Sequence, residues 1–401
     1  MTSVDEVSVL LDPVVEPLPP VRMAVEDAVG RVLAAAPLAE HPLPLFDQSA
    51  MDGYAVAHND IAGAPVTLPV SSEVAARGHD RMPELVAGTA ARVFTGGVLP
   101  SGADTIVRQE LTSDAGDGLV RIDRAVDSGT DVRRRGEEID AGAALCEPGT
   151  VLHAGLVGAL VVAGVSEVSV SRLPHVRIVV TGDEIVAAGT TLSLGQVPDS
   201  NGPLLATSLR RWGLDDVSAS RVGDDPELLA AAIDAAAGDA QLVVTTGGVS
   251  VGDYDLVPPI AEELGFTRVL WKVAQRPGGP LFVAQRGGTL LVGLPGNPAA
   301  VFVNLHVHLR RILDRFAGMD PESRWQWGVC TGRPPSAPGK VMWARCSVAT
   351  DREGVVRLTP LHRQGSHMLS NLASADALVR VDPQLDLEQP GLVLPWIPVL
   401  H

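Results

Sequence analysis

Residues 241–252 read QLVVTTGGVSVG, a short Val-rich run that passes directly into a glycine-rich turn. A run of this length and β-branched content predicts a buried strand. The glycines after it predict a loop whose backbone can come close to a ligand. Other short apolar runs between residues 176 and 317 also end in polar or glycine-rich turns, so the stretch belongs to a repeated pattern of strands and helices.

Working outward from that stretch, strand-like runs alternate with amphipathic segments, several of which begin with Pro, a favoured residue in the first helical turn. The predicted strands are 176–181, 217–222, 241–245 and 289–292, and the predicted helices are 203–212, 226–237 and 298–316. Two further runs, 269–273 and 281–284, form an insertion, and Gly287-Gly288 predicts a hairpin into the last strand. Alternation of this kind predicts a doubly wound, mostly parallel α/β sheet that is covered on both faces.

The rest of the chain differs in composition, and the protein is long enough for several domains. We predict an α/β multidomain protein with four units. These are a discontinuous linker domain (1–45 and 141–171), a β-rich inserted domain (46–140), the α/β domain (172–320) and a small C-terminal β domain (321–401).

Charge and hydropathy exclude several classes of function. The chain has 48 Asp and Glu against 31 Lys and Arg, a formal net charge of -17, which repels a nucleic-acid backbone or an anionic membrane. Its first residues are acidic rather than basic, and the longest apolar stretch, 155–165, is too short to cross a bilayer. We therefore expect a cytoplasmic protein with neither nucleic-acid nor membrane partners.

In an open parallel sheet, ligands bind beyond the carboxyl ends of the strands. The segments that follow the predicted strands are 181–184 (TGDE), 223–225 (GDD), 245–252 (TTGGVSVG) and 293–298 (GLPGNP). Their glycines and helix starts offer backbone N–H groups to phosphate oxygens. The carboxylates of Glu184, Asp224 and Asp253 would repel phosphate directly, so we expect Mg²⁺ to mediate between them.

Each of these segments on its own is most simply a connecting turn, and two alternatives stay open from the residues alone. The run 248–252 satisfies GxSxG, the turn that carries a hydrolase nucleophile, but Pro258-Pro259 and neighbouring residues intervene where a helix should follow. In the N-terminal half, 49–55 (SAMDGYA) reads as a turn and 133–139 (RRRGEEI) as a solvated charge run. The arginines of the second segment could instead bind an oxyanion.

Taken together and in order, the motifs resemble those of the MoeA family, which includes the E domain of gephyrin. The resemblance spans roughly residues 20 to 385. It rests on 49–55, 95–97 (TGG), 133–139, 181–184, 247–252 with Asp253, Lys272 with 277–280 (PGGP), 293–298 and 364–367 (QGSH).

The resemblance implies a homodimer whose cleft lies between the α/β domain of one subunit and the β-rich domain of the other. It implies a Mg²⁺-dependent molybdopterin molybdenumtransferase, which takes molybdate and adenylyl-molybdopterin and releases AMP, with a molybdopterin adenylyltransferase as a further partner. The implied catalytic residues are Asp52, Thr95, Glu138, Glu184, Asp224 and Asp253, the last three of which are also the implied metal-binding residues. The implied substrate-binding residues are Gly247, Gly248, Ser250, Lys272, Arg276, Pro295, Gly296, Asn297, Arg345 and Ser366.

The chain departs from the family pattern at three positions. The family often has Lys where Arg276 and Gly279 stand, and Asp where Glu138 stands. Two other functions remain as alternatives: an adenylyltransferase of the Mog type, which would not need the N-terminal motifs, and a non-catalytic scaffold of the gephyrin kind.

Overall fold

A computed structural model describes residues 1–249, 255–389 and 391–399. It contains an α/β domain, a β-rich domain inserted before it, a linker unit built from two separate segments and a C-terminal β domain. The predicted fold class is confirmed. Within the described residues, no helix is long and apolar enough to cross a membrane.

The α/β domain is built on a six-stranded sheet in which the first four strands in spatial order are parallel, the fifth runs antiparallel to them, and the sixth pairs antiparallel with the fifth. In spatial order the strands are Val217–Val222, Val176–Thr181, Leu242–Thr246, Thr289–Leu294, Phe282–Arg286 and Thr267–Trp271. The predicted hairpin is present, because the last parallel strand pairs with Phe282–Arg286 across Gly287-Gly288.

Helices cover both faces of this sheet, which explains why its three central parallel strands are nearly continuous buried runs. The helices are Asn201–Arg211, Pro226–Asp239, Val257–Glu263, Pro298–Asn304 and Arg310–Phe316. Ile178 and Val180 pack with Leu205 and Val301 on one face, whereas Val179 packs with Ile233 on the other. The predicted helix 298–316 is continuous except for a π-helical turn at Leu305–Leu309.

The β-rich domain is a second six-stranded sheet, followed in space by a small two-stranded ladder. The six strands, in spatial order, are Thr105–Arg108, Gly53–Val56, Ala90–Val93, Val66–Val74, Leu119–Ile122 and Thr112–Gly116. The short strands Gln48–Ser49 and Val132–Arg133 pair beside it, and this pairing brings the SAMDGYA and RRRGEEI segments together. Among the described residues of this domain, the single α-helix is His58–Ile61, which has four residues.

The linker unit joins two distant parts of the chain. Strand Val21–Ala24 pairs with Glu167–Val170, and helix Ala154–Val162 packs beside them. The N-terminal helix Val4–Leu11 lies elsewhere, because Val7 and Leu11 are buried in the core of the α/β domain. The structure therefore divides the predicted segment 1–45 between two units, since the apolar face of this first helix is buried only on the α/β sheet.

The C-terminal domain is a sheet that closes on itself. Its strands, in order, are Val341–Thr350, Val356–Pro360, Gln326–Cys330, Val393–Pro398 and Ala377–Val381. The last of these also pairs with the first, which closes a barrel. Strand Gln275–Arg276 of the preceding domain pairs in parallel with Val341–Met342, so the two domains share a hydrogen-bonded edge.

His308, in the π-helical turn, is buried where these two domains meet and is 3% exposed. Its Nε2 lies 2.9 Å from Gln275 Oε1, an acceptor, so Nε2 carries the proton. Burial, and next the nearby Arg311 charge, lower the pKa of His308 to about 3. The imidazole therefore stays neutral in the folded protein at physiological pH.

This shift predicts a loss of stability in acid. Below its ordinary pKa of 6.5, His308 takes up a proton in the unfolded chain but not in the folded one, so acid favours unfolding. Stability from this group is complete above pH 6.5 and falls as the pH drops towards the folded pKa. Between pH 7 and pH 5 we expect a loss of about 2 kcal/mol. In calorimetry at both pH values, His308→Gln should remove that part of the pH dependence. An unchanged dependence would contradict the assignment.

Candidate active site

The carboxyl ends of the parallel strands open onto a cavity of about 910 Å³. Loops from the α/β domain form most of its wall, and Lys340, Ser366 and Leu369 of the C-terminal domain complete it. The predicted site residues that line it are Glu184, Gly247, Gly248, Arg276, Pro295, Gly296, Asn297 and Ser366. The structure thus brings together half of the residues that the sequence indicated, at the edge of the sheet where a ligand was expected.

The floor of the cavity depends on close backbone packing at Gly247. This residue has φ +93°, and a Cβ there would lie 2.5 Å from Thr181 Oγ1. The same hydroxyl donates a hydrogen bond of 3.1 Å to the Thr246 carbonyl. Only glycine fits this position, so the TGDE and TTGGVSVG loops are joined directly.

Two residues that line the cavity each have a buried polar atom without a protein partner among the described residues. Asn201 Nδ2 donates to the Gly296 carbonyl at 2.8 Å, which leaves the buried Oδ1 as an unused acceptor. The buried Thr246 Oγ1 is unpartnered as well. Buried polar groups normally have partners, so both atoms indicate where a bound ligand would complete the hydrogen bonding. Asn201 was not among the residues predicted for the site, because its contact with Gly296 spans 95 positions of the chain.

Cations and anions are both present in the wall. Arg276 is exposed at the cavity and Lys340 lies across from the α/β domain on the C-terminal domain. Glu184, Asp199 and Asp255 supply negative charge. Asp199 is 6% exposed and lies 3.6 Å from a guanidinium nitrogen of Arg221, so much of its charge is offset. The cavity can therefore hold an anion although the protein as a whole is strongly acidic.

The three predicted metal-binding carboxylates have different positions. Glu184 lines the cavity, whereas Asp224 does not, and the backbone N–H of Asp224 donates to Asp183 Oδ1 at 3.0 Å. Asp253, like Ser250, lies outside the described residues. Within the described part of the chain, no group of three or more His, Cys, Asp or Glu side chains is arranged to hold a metal ion.

Lys272, which the resemblance implied as a substrate-binding residue, lies against Trp271 in this structure. It is not among the residues that line the cavity, and its Nζ lies 4.3 Å from the centre of the Trp271 ring. Lys272 has φ +69°, which directs the side chain differently from that of a residue in a regular strand. The ammonium group therefore rests on the indole, whose Nε1 donates to the Val249 carbonyl.

Arg345 lies behind the loop that carries Ser366. It is 1% exposed, and its Nη2 donates to the carbonyls of Arg363 and Gly365 at 3.1 and 3.2 Å. Its Nε and Nη1 have no partner among the described residues, and burial lowers the pKa of the guanidinium. In this structure Arg345 supports the loop and does not line the cavity.

Asp52, Thr95 and Glu138 belong to the β-rich domain and do not line the cavity. The backbone N–H and the hydroxyl of Thr95 both donate to Asp52 Oδ1 at 2.8 Å. The first of these bonds is the main reason that the pKa of the Asp52 carboxyl lies below its usual value. Glu138 is exposed. Asp52 and Thr95 thus form a second acidic site, outside the cavity and on a different domain.

A parallel sheet with glycine-rich loops and an acidic rim at its carboxyl edge matches a known class of ligand-binding domain. Residues 177–315 match the family model described as a probable molybdopterin binding domain. Residues 2–164 match the MoeA N-terminal region, domains I and II, and residues 328–399 match the MoeA C-terminal region, domain IV.

Known proteins show the same relationship over the full chain. A molybdopterin molybdenumtransferase 2 from Mycobacterium tuberculosis is 34% identical, covering 90% of this chain and 91% of its own length. A molybdopterin molybdenumtransferase from Bacillus subtilis is 32% identical, covering 89% and 84%. The crystal structure of the molybdopterin biosynthesis MoeA protein from Pyrococcus horikosii is 26% identical, with a TM-score of 0.82 over 98% of both chains. The chain belongs to the MoeA family, which confirms the resemblance seen in the sequence.

Proposed function

We propose that the protein is a molybdopterin molybdenumtransferase, which inserts molybdenum from molybdate into adenylyl-molybdopterin with release of AMP. The observation that carries the proposal is the cavity itself, whose wall at the carboxyl edge of the sheet contains both unpartnered polar groups and cationic side chains. Family membership supports the same reaction, because relatives along nearly the whole chain carry this name.

The cavity suits the organic substrate in size and in hydrogen bonding. Its volume of about 910 Å³ is within the usual range for small-molecule sites. The pterin ring carries N–H donors, and the free Asn201 Oδ1 is an acceptor for one of them. Thr246 Oγ1 can donate or accept beside it. We propose that the pterin end of the substrate lies against this floor.

We propose that the oxyanion, molybdate, binds at the side of the cavity opposite the pterin, between the α/β domain and the C-terminal domain. Arg276 is exposed there, and its planar guanidinium can contact two oxygens of molybdate, whereas a Lys ammonium is a point charge. Lys340 and the Ser366 hydroxyl face the same space from the C-terminal domain. Since Lys272 rests on Trp271 and Gly279 has no side chain, Arg276 carries more of the contact than its family counterpart.

We propose that Mg²⁺ is held through water molecules by Glu184, Asp224 and Asp253. Bound there, the ion would offset the charge of the substrate phosphate. The three side chains would keep the ion and its waters at the rim of the cavity. Removal of the ion by a chelator should stop the reaction whether the carboxylates bind Mg²⁺ directly or through water.

A homodimer is proposed because the second acidic site lies outside the cavity of its own subunit. Asp52 and Thr95 can join the chemistry only if the β-rich domain of a second copy covers the cavity. Helix Ala154–Val162 is apolar on all sides, and its Val161 and Val162 are 49% and 59% exposed. An exposed apolar helix of this kind favours burial against another chain.

A specific observation disfavours each of the two alternatives, the adenylyltransferase and the scaffold. An adenylyltransferase of the Mog type would not need the N-terminal motifs, whereas residues 2–164 match the MoeA N-terminal region. Such an enzyme is better seen as a partner that supplies adenylyl-molybdopterin, and we place this exchange in the cytoplasm. A purely structural scaffold would not need unpartnered polar atoms in the cavity.

Incubation of the purified protein with adenylyl-molybdopterin, Mg²⁺ and molybdate should release AMP in a molybdate-dependent manner. Asp224→Asn should abolish this release without loss of folding, because the neutral amide no longer orders the ion, and a chelator should do the same to the wild type. Asp234→Asn, on an exposed part of a helix of the same domain, is the matched control. Full AMP release by Asp224→Asn would remove Asp224 from the mechanism.

Mixing Asp52→Ala protein with Glu184→Ala protein should restore activity through hybrid dimers. Each hybrid has one intact cleft, so exchange at equal concentrations should give about one quarter of the wild-type rate. The mixture is compared with each variant alone. A strictly monomeric mass at micromolar concentration, or no recovery after subunit exchange, would count against the shared cleft.

Arg276→Ala should weaken the use of molybdate without changing the affinity for nucleotide. Loss of a charged hydrogen-bond partner costs ~1.5 to 3 kcal/mol, which corresponds to about a 10- to 150-fold higher molybdate requirement. Arg333→Ala, at an exposed arginine of the C-terminal domain, controls for the loss of one positive charge. Wild-type molybdate dependence in Arg276→Ala would show that the oxyanion lies elsewhere.

A further inference from the structure

Gln275, which immediately precedes Arg276, has a buried side-chain amide whose hydrogen bonds are all made within the protein. Its Nε2 donates to Asn304 Oδ1 at 2.8 Å and to the Gly278 carbonyl at 3.0 Å. Its Oε1 accepts from His308 Nε2 and from Trp343 Nε1, both at 2.9 Å. Two donors and two acceptor positions are the full capacity of the side chain. No polar group of this amide is left for a ligand, so Gln275 has a different role from Arg276.

The partners of Gln275 come from three separate parts of the structure. Asn304 and His308 belong to the helical segment that closes the α/β domain, and Gly278 belongs to the cavity wall itself. Trp343 is on strand Val341–Thr350 of the C-terminal barrel. Asn304 and Trp343 are 0% exposed. We refer to the side chains of Gln275, Asn304, His308 and Trp343 as the interdomain clamp.

The cavity wall in front of the clamp has no secondary structure of its own beyond the short strand Gln275–Arg276. The residues 275–280 all line the cavity. Gly278 has φ +86°, and a Cβ there would lie 2.8 Å from Asn304 Nδ2, which also donates to the Gly278 carbonyl at 3.2 Å. Two side chains of the clamp, Gln275 and Asn304, therefore donate hydrogen bonds to the backbone of this wall at the Gly278 carbonyl.

The same clamp fixes the position of the C-terminal domain. Gln275–Arg276 pairs with Val341–Met342, and the Trp343 indole follows directly on that strand. The barrel also contributes Lys340 and Ser366 to the cavity. The distance between Arg276 on one domain and Ser366 on the other therefore depends on how the clamp seats one domain on the other.

We propose that Gln275, held by His308 and Trp343, is a positioning residue that sets the separation of the two halves of the oxyanion site and so sets its affinity for molybdate. The inference rests on the proposed function, since it assigns molybdate to the space between Arg276 and Ser366. A clamp that only stabilised the contact between the domains would affect the melting temperature and leave molybdate affinity unchanged. The two roles therefore predict different results.

The test removes the donors to Gln275 Oε1 singly and together, with the variants His308→Leu, Trp343→Phe and the double variant. Each single variant leaves one donor in place, whereas the double variant leaves a buried acceptor without a partner. We expect the double variant to raise the molybdate KM by about 10-fold or more, and by more than the product of the two single effects. The kcat at saturating molybdate should change less.

Conservative rescue and a matched control separate positioning from simple loss of stability. Gln at position 308 can place an N–H donor where His308 Nε2 lies, so His308→Gln combined with Trp343→Phe should return to the KM of Trp343→Phe alone. Thr289→Val removes a buried hydrogen bond at the amino end of strand Thr289–Leu294, the end away from the cavity, where Thr289 Oγ1 donates to the Ala240 carbonyl at 2.8 Å. It should lower the melting temperature without changing the molybdate KM.

A titration of each protein with tungstate alone, followed by calorimetry, reports oxyanion affinity without turnover. If the wild type binds tungstate but releases no AMP, the proposed reaction fails while the clamp is still tested. If the double variant binds tungstate as the wild type does, or loses kcat at unchanged KM, the positioning role is wrong. Should the double variant not fold, Trp343→Phe carries the test, and its tungstate affinity must fall where that of Thr289→Val does not.

Discussion

The hydrogen-bonded register of four parallel strands determines where each ligand-facing loop of the α/β domain lies. Leu242–Thr246 pairs on one side with Val176–Thr181 and on the other with Thr289–Leu294, so three chain segments end at one edge. The glycine at position 247 then lets two of the loops touch. The binding floor follows from this packing, and its unused acceptor on Asn201 is a consequence of the contact with Gly296.

That edge alone makes only part of a site, and the remainder comes from other domains. The C-terminal barrel supplies Lys340 and Ser366, while Asp52 and its hydrogen-bond donor Thr95 lie on the β-rich domain. Because Arg276 and Lys340 lie at the cavity and distant charges are screened, a chain with a net charge of -17 can still present cations to an oxyanion. Affinity is then governed by how accurately the domains are seated, which gives the buried amide of Gln275 its importance.

Sequence patterns predicted the parts of this architecture that depend on local residue order. The strands 176–181 and 217–222 were predicted at their observed bounds, and the segment containing Arg276 was predicted at the site. The position of Lys272 was missed because it depends on a left-handed backbone angle and on contact with Trp271. The partners of Gln275 lie up to 68 positions away in the chain, so no periodicity or motif could have indicated the clamp.

In the proposed mechanism, one cavity, formed by the α/β domain and completed by the C-terminal domain, holds the oxyanion. Crystals soaked with tungstate, which has the shape and charge of molybdate, would locate that ion directly through its anomalous scattering. The account predicts a peak within hydrogen-bonding distance of the Arg276 guanidinium and the Ser366 hydroxyl. A peak at the Asp52 and Thr95 site, or at Lys272 against Trp271, with none between Arg276 and Ser366, would contradict it.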